Sequence, residues 1–151
     1  MESKEKQEEL QFALEYIKTF MKENDELSNE SAVKYIASDP QTPAVVLRSM
    51  ACEMRNIDIL SRIAANPATS SDVLAVLARH PEKEVRLSVA SNHSATMLVV
   101  MPLTNDDSPT VRFTLAENPF TDDLVLESLT LDDNPFVAHR ASVTIERLQG
   151  Q

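Results

Sequence analysis

The feature that most limits how this chain can fold is its self-similarity at a spacing of 26 residues. When the segments at 57–67, 83–93, 109–119 and 135–145 are superposed, Ile59, Val85, Val111 and Val137 share one column. Ile63, Val89, Leu115 and Ala141 share a second, and Ala64, Ala90, Ala116 and Ser142 a third. Downstream, Val73 aligns with Val99 and Val125, Leu74 with Val100 and Leu126, and Leu77 with Leu103 and Leu129. Val46, Leu47 and Met50 belong to an earlier copy offset by one residue. Apolar positions therefore recur at i, i+4 and i+5, then at i+14, i+15 and i+18, which is the stripe of two short helices. A strand would alternate at every second residue.

The breaks are written in capping residues. Asn66-Pro67 and Asn118-Pro119 predict a stop in which asparagine takes the left-handed C′ conformation and proline cannot continue the helix. Thr42, Thr69 and Thr121 are predicted N-caps of the second helices, with Pro43 at a first helical position and Asp72 three residues beyond Thr69. Ser108-Pro109 and Asn134-Pro135 do the same for first helices.

Helices this short are marginal in water, and one pair leaves its stripe half exposed, so neighbouring pairs must stack. The expected fold is all-α: a right-handed α-solenoid of about four to five helical pairs, the handedness following known solenoids. The units lie near 32–58, 59–84, 85–110, 111–136 and 137–148, in a repeat domain spanning 31–151. An amphipathic capping helix occupies segment 1–30, with Leu10, Ala13, Leu14, Ile17, Phe20 and Met21 on its apolar stripe. Val137, Ala141, Ile145 and Leu148 close the other end.

Composition narrows function. A chain of 151 residues, 42% apolar and 25% charged, is one globular domain. With one glycine, Gly150, against 8 prolines, phosphate-cradling loops and tight hairpins are disfavoured. Lys and Arg number 14 against 24 Asp and Glu, a net charge of −10 that opposes binding to nucleic acid or anionic lipid. The single cysteine, Cys52, makes no disulfide within the chain and no cysteine-held cluster. No signal-like or membrane-length apolar run is present, which gives a cytoplasmic expectation.

The run N-P-x-T-x-x-x-V-L-x-x-L-A from Asn66 to Ala78 is followed by P-E-K-E-V-R-L-S-V-A-S-N at 81–92 and S-P-T-V-R-F-T-L-A-E-N-P at 108–119. Together these resemble the variant leucine-rich repeat family of bacteria, over roughly residues 32–148. The resemblance implies a HEAT-like helical solenoid in which one helix of each pair is 3₁₀-like, and short first helices such as 85–90 suit that. The family's best-known member carries an N-terminal cysteine cluster holding an iron–sulfur centre. The corresponding region here has no cysteine, so no cofactor is expected.

Candidate sites follow. Arg86 and Arg112 hold equivalent places beside Asp106-Asp107 and Asp132-Asp133. They read either as an anion-binding ladder or as ion pairs between repeats, and repeated scaffolds favour the second. His80, His93 and His139 lack the spacing that puts two ligands on one helical face. The Asp pairs starting at 106, 122 and 132 have no glycine-turned loop for calcium. No nucleophile elbow is present, and no catalysis is expected.

Segment 95–103, ATMLVVMPL, is apolar all round, whereas the next unit has Asp123 and Glu127 where Met97 and Met101 stand. Either another part of the chain, such as the N-terminal helix, covers it, or it is a contact surface. Pro102 predicts an early end or a kink. The near-neutral middle, 41–104, lies between acidic ends and carries Arg48, Arg55, Arg62, Arg79, Lys83 and Arg86, a polar rim for such a surface. The expected function is a non-catalytic scaffold binding another protein, or a second copy of the chain, through Met97, Val100, Met101, Arg79, Arg86 and Arg112. The alternative is an acidic inhibitor or immunity-type protein steered onto a basic enzyme by its net charge.

Overall fold

The computed structural model describes residues 2–150, which form helices and no strand. α1 spans Glu2–Glu23, α2 Asn29–Ser38, α3 Ala44–Glu53, α4 Ile57–Ala65 and α5 Ser71–Leu77. α6 spans Lys83–Ala90 and α7 Met97–Val100; a 3₁₀ turn, Met101–Asn105, leads to α8 Pro109–Glu117, α9 Asp123–Leu129 and α10 Pro135–Gln149. α2 packs on α4, α4 on α6, α6 on α8 and α8 on α10. α5 packs beside α7, and the 3₁₀ turn beside α9.

One core runs through these contacts. Ile59, Val85, Val111 and Val137 are all buried, as are Ile63, Val89, Leu115 and Ala141, and Leu77, Leu103 and Leu129. Each helix is too short to hold itself together, so its stability comes from this shared burial.

The breaks between helices work differently from the local expectation. Among the described residues no residue has positive φ. Asn66, at φ −72° and ψ 124°, is extended and not left-handed. Its side chain instead reaches back along the chain: Asn66 Nδ2 donates to the carbonyls of Ala37 at 3.0 Å and Asp39 at 2.9 Å. Asn92 Nδ2 donates to Ala64 O at 2.7 Å and Asn66 O at 3.1 Å, and Asn118 Nδ2 to Ala90 O at 3.0 Å. Each Oδ1 accepts a backbone N–H two residues ahead, from Ala68, Ser94 and Phe120. One amide thus satisfies carbonyls left orphaned at the end of the preceding first-type helix and also fixes its own turn.

The threonines are likewise C-terminal clamps and not N-caps. Thr42 Oγ1 donates to Ile36 O at 2.7 Å, Thr69 Oγ1 to Ile63 O at 2.6 Å and Thr121 Oγ1 to Leu115 O at 3.0 Å. The N-cap positions fall one residue later, at Pro43, Ser70 and Asp122. Buried hydroxyls bond a helix-end carbonyl here because its i+4 residue is a proline, Pro40, Pro67 or Pro119, which has no N–H to offer.

At each end the pattern changes for a visible reason. α10 runs on to Gln149 because Thr144-Ile145 replaces the Asn-Pro break one spacing earlier at Asn118-Pro119. At the other end α1 packs on α2 and α3 through Ala13, Ile17 and Phe20, with Phe20 stacked on Tyr35 at 5.3 Å between ring centroids. Leu10 and Leu14, expected on the buried stripe, are 39% and 43% exposed. Small and polar Ser49 and Cys52 of α3 face that part of α1, leaving a cleft of about 410 Å³ between the two helices instead of a packed seam. α1 packs chiefly on α2 and α3 and not on α7, where Val99 and Val100 are buried in the core and Leu98 faces outward.

Candidate functional site: the face of the second helices

Two structural ion pairs and one apolar ridge account for the residues singled out in the sequence. Arg86 Nε and a terminal guanidinium nitrogen donate to the two carboxylate oxygens of Asp106, at 2.6 and 3.0 Å. Its other terminal nitrogen donates to His80 O and Pro81 O, both at 2.8 Å. Arg112 repeats the arrangement on Asp132 at 2.7 and 3.0 Å, with a further bond to Asp106 O at 2.7 Å and one to Asp133 at 3.0 Å. Each guanidinium therefore spans two successive turns, and the fork geometry fits only arginine.

Both acids are shielded, Asp106 and Asp132 having 4% of their side chains exposed. Burial alone would raise the Asp106 carboxyl, but Arg86 and the Ser108 N–H outweigh it and hold the group below the ordinary carboxylate value. The Arg112 bond lowers Asp132 in the same way, and both arginines are raised above their usual value by their partners. Arg86 and Arg112 are thus occupied in joining turns and are not free to meet an anion or a partner. His80 stands in the column of Asp106 and Asp132, and its Nδ1 accepts the Glu82 N–H at 3.1 Å, as those carboxylates accept Ser108 and Asn134.

The apolar segment divides sharply. Val100, expected on the contact surface, is buried in the column it shares with Leu74 and Leu126 and belongs to the core. Met97 and Met101 are partly buried and pack against that core. Pro102 has no N–H to extend α7, so the chain tightens into the 3₁₀ turn; before it, the residue that faces fully outward is Leu98, 82% exposed. Leu98 was not singled out from the sequence; its alignment with Asp72 and Leu124, both on outward positions, is the signal that marks it.

Leu98 does not stand alone. Val76 on α5 is 70% exposed and Leu124 on α9 is 59% exposed. Phe120, just before α9, is exposed and stacks on the His93 ring at 4.5 Å. Between Ala95 and Asn105 there is no charged residue. On the α5 side stand exposed Asp72, which is paired with Arg48 at 3.0 Å, and exposed Arg79; on the α9 side stand exposed Asp123 and Glu127. Arg79, Asp123 and Glu127 take part in no ion pair among the described residues. The face of α5, α7 and α9 is therefore a greasy ridge with opposite charges at its two edges, an arrangement suited to contact with another macromolecular surface.

Among the described residues no group of three or more His, Cys, Asp and Glu side chains is arranged to hold a metal ion. No helix of the described residues is long and apolar enough to cross a membrane. No family model, curated protein or solved structure matches the chain.

Proposed function

We propose that this chain is a right-handed α-solenoid of 26-residue helical pairs, of the variant leucine-rich repeat kind, and that it acts as a non-catalytic protein-binding scaffold. The observation that carries the reading is the row of exposed Val76, Leu98 and Leu124 on consecutive second helices. Such a row is costly to leave in water and is placed where neighbouring units present one continuous face. The asparagine, threonine and arginine side chains at the junctions support the same reading, since the chemistry at the repeat boundaries is used to hold units together.

A photo-reactive phenylalanine analogue at position 98, with the same residue at exposed Glu84 on α6 as control, tests this in cells that naturally produce the chain. The expected result is a protein adduct from position 98 and none from position 84. Absence of an adduct at 98, or equal adducts at both, overturns the proposal.

A further inference from the structure

The ridge is complementary to itself. A surface shaped for a basic enzyme would carry unpaired acid on both edges; here Asp72 on the α5 edge is held by Arg48 at 3.0 Å, which leaves Arg79 as that edge's unpaired charge against Asp123 and Glu127 on the other, with the uncharged segment 95–105 between. A two-fold axis beside α7 and running along it places α5 of one copy against α9 of the other. Leu98 then meets its own counterpart, Val76 lies toward the other copy's α9, and Arg79 faces Glu127 twice, once on each side. Isologous contacts of this kind require a patch that pairs with itself under rotation, and an apolar centre with oppositely charged edges meets that requirement. From this geometry we infer that the face of α5, α7 and α9 binds a second copy of the same chain. The inference rests on the protein-binding reading above and names its partner.

The test is sedimentation velocity on the full-length chain from about 1 to 200 µM, a range that reveals dimers of micromolar affinity. The expected result is a reversible dimer. Leu98→Glu shifts the chain to monomer with an unchanged thermal melt, because that side chain is outside the core. Arg79→Glu and Glu127→Arg each weaken the dimer by about tenfold or more, and the double charge reversal restores it. A wild-type chain that stays monomeric throughout, or a dimer indifferent to Leu98→Glu, overturns the inference, as does a double reversal no tighter than the singles. The cross-link at position 98 separates the two readings: an adduct of twice the chain's mass supports both, an adduct only with a different protein removes the self-association and leaves the scaffold, and no adduct removes both.

Discussion

Asn92 donates its side-chain amide to the backbone carbonyl of Asn66, 26 residues earlier, at 3.1 Å. The same nitrogen reaches Ala64 O, while the oxygen of the same side chain accepts the Ser94 N–H. A single buried residue therefore joins two units and shapes the turn of its own. Hydrogen bonds in such a setting matter less for their net worth than for the cost of leaving their partners bare.

Replacing Asn92 isolates that cost. Asn92→Ala leaves the Ala64 carbonyl and the Ser94 N–H unpaired and removes one of the two bonds to Asn66 O, which keeps the Thr69 N–H, and the expected loss is about 2–4 kcal/mol in urea-unfolding free energy. Asn92→Asp keeps the acceptor for Ser94 but sets a carboxylate against two carbonyl oxygens. It should destabilise more than alanine does. A milder effect for aspartate would show that the amide's role is only to shape the turn.

Acid should loosen the arginine junctions. The Asp132 carboxyl is held below its unfolded value near 3.9, so its contribution is complete above about pH 4 and disappears as pH falls through the lower native value. Asp132→Asn retains an acceptor for the Asn134 N–H, removes the charge and replaces the oxygen that accepts from Arg112 Nε with an amide NH2. At neutral pH the variant is expected to lose about 1–3 kcal/mol, because Arg112 loses its shielded partner and keeps only the solvent-exposed Asp133 carboxylate. Its stability should then change less than wild type between pH 4 and 2. Parallel pH curves for the two proteins would contradict this.

Met97 and Leu98 are neighbours in sequence with opposite expected behaviour. Met97 packs against the core, and Met97→Glu should lower stability by about 1–3 kcal/mol through burial of a charge in an apolar setting. Leu98→Glu should stay within about 0.5 kcal/mol. Leu103→Ala, at a fully enclosed position, provides the upper reference at about 2–5 kcal/mol. Thermal melts of the three variants decide the order.

The buried columns were legible because valine, isoleucine and leucine recurring at helical offsets leave one face to hide, and every copy hides the same one. The roles of Asn66 and Thr69 were not. Local pattern says that the chain must stop at Asn66, and both a left-handed cap and an amide reaching the previous unit put asparagine there. The distinction lies in a partner 29 residues away, Ala37. One hint was present: a left-handed position accepts glycine, and this chain has only Gly150 while Asn66, Asn92 and Asn118 repeat unchanged. For segment 95–103 the apolar excess hid a direction that the columns already carry: Val99, Val100 and Leu103 are buried like their counterparts, and Leu98 shares the exposed column of Asp72 and Leu124.

The threonine clamp is absent from one unit, and that gap can be filled. Thr69 and Thr121 donate to Ile63 O and Leu115 O, but the equivalent place at 95 is alanine, opposite the carbonyl of Val89. Ala95 is only partly buried, so a threonine there has room for its extra atoms. Ala95→Thr should gain about 0.5–1 kcal/mol, the usual net value of one such bond. Thr69→Val, which keeps the shape and removes the hydroxyl, should lose about 1 kcal/mol, the net value of one hydrogen bond, since Ile63 O keeps the Asn66 N–H at 3.1 Å. Both are measured by urea unfolding against wild type. If the hydroxyl adds a bond to a helix-end carbonyl that otherwise has only short-range backbone partners, the two changes must have opposite signs; a destabilising Ala95→Thr would mean that the clamp depends on a turn geometry peculiar to the places that already carry it.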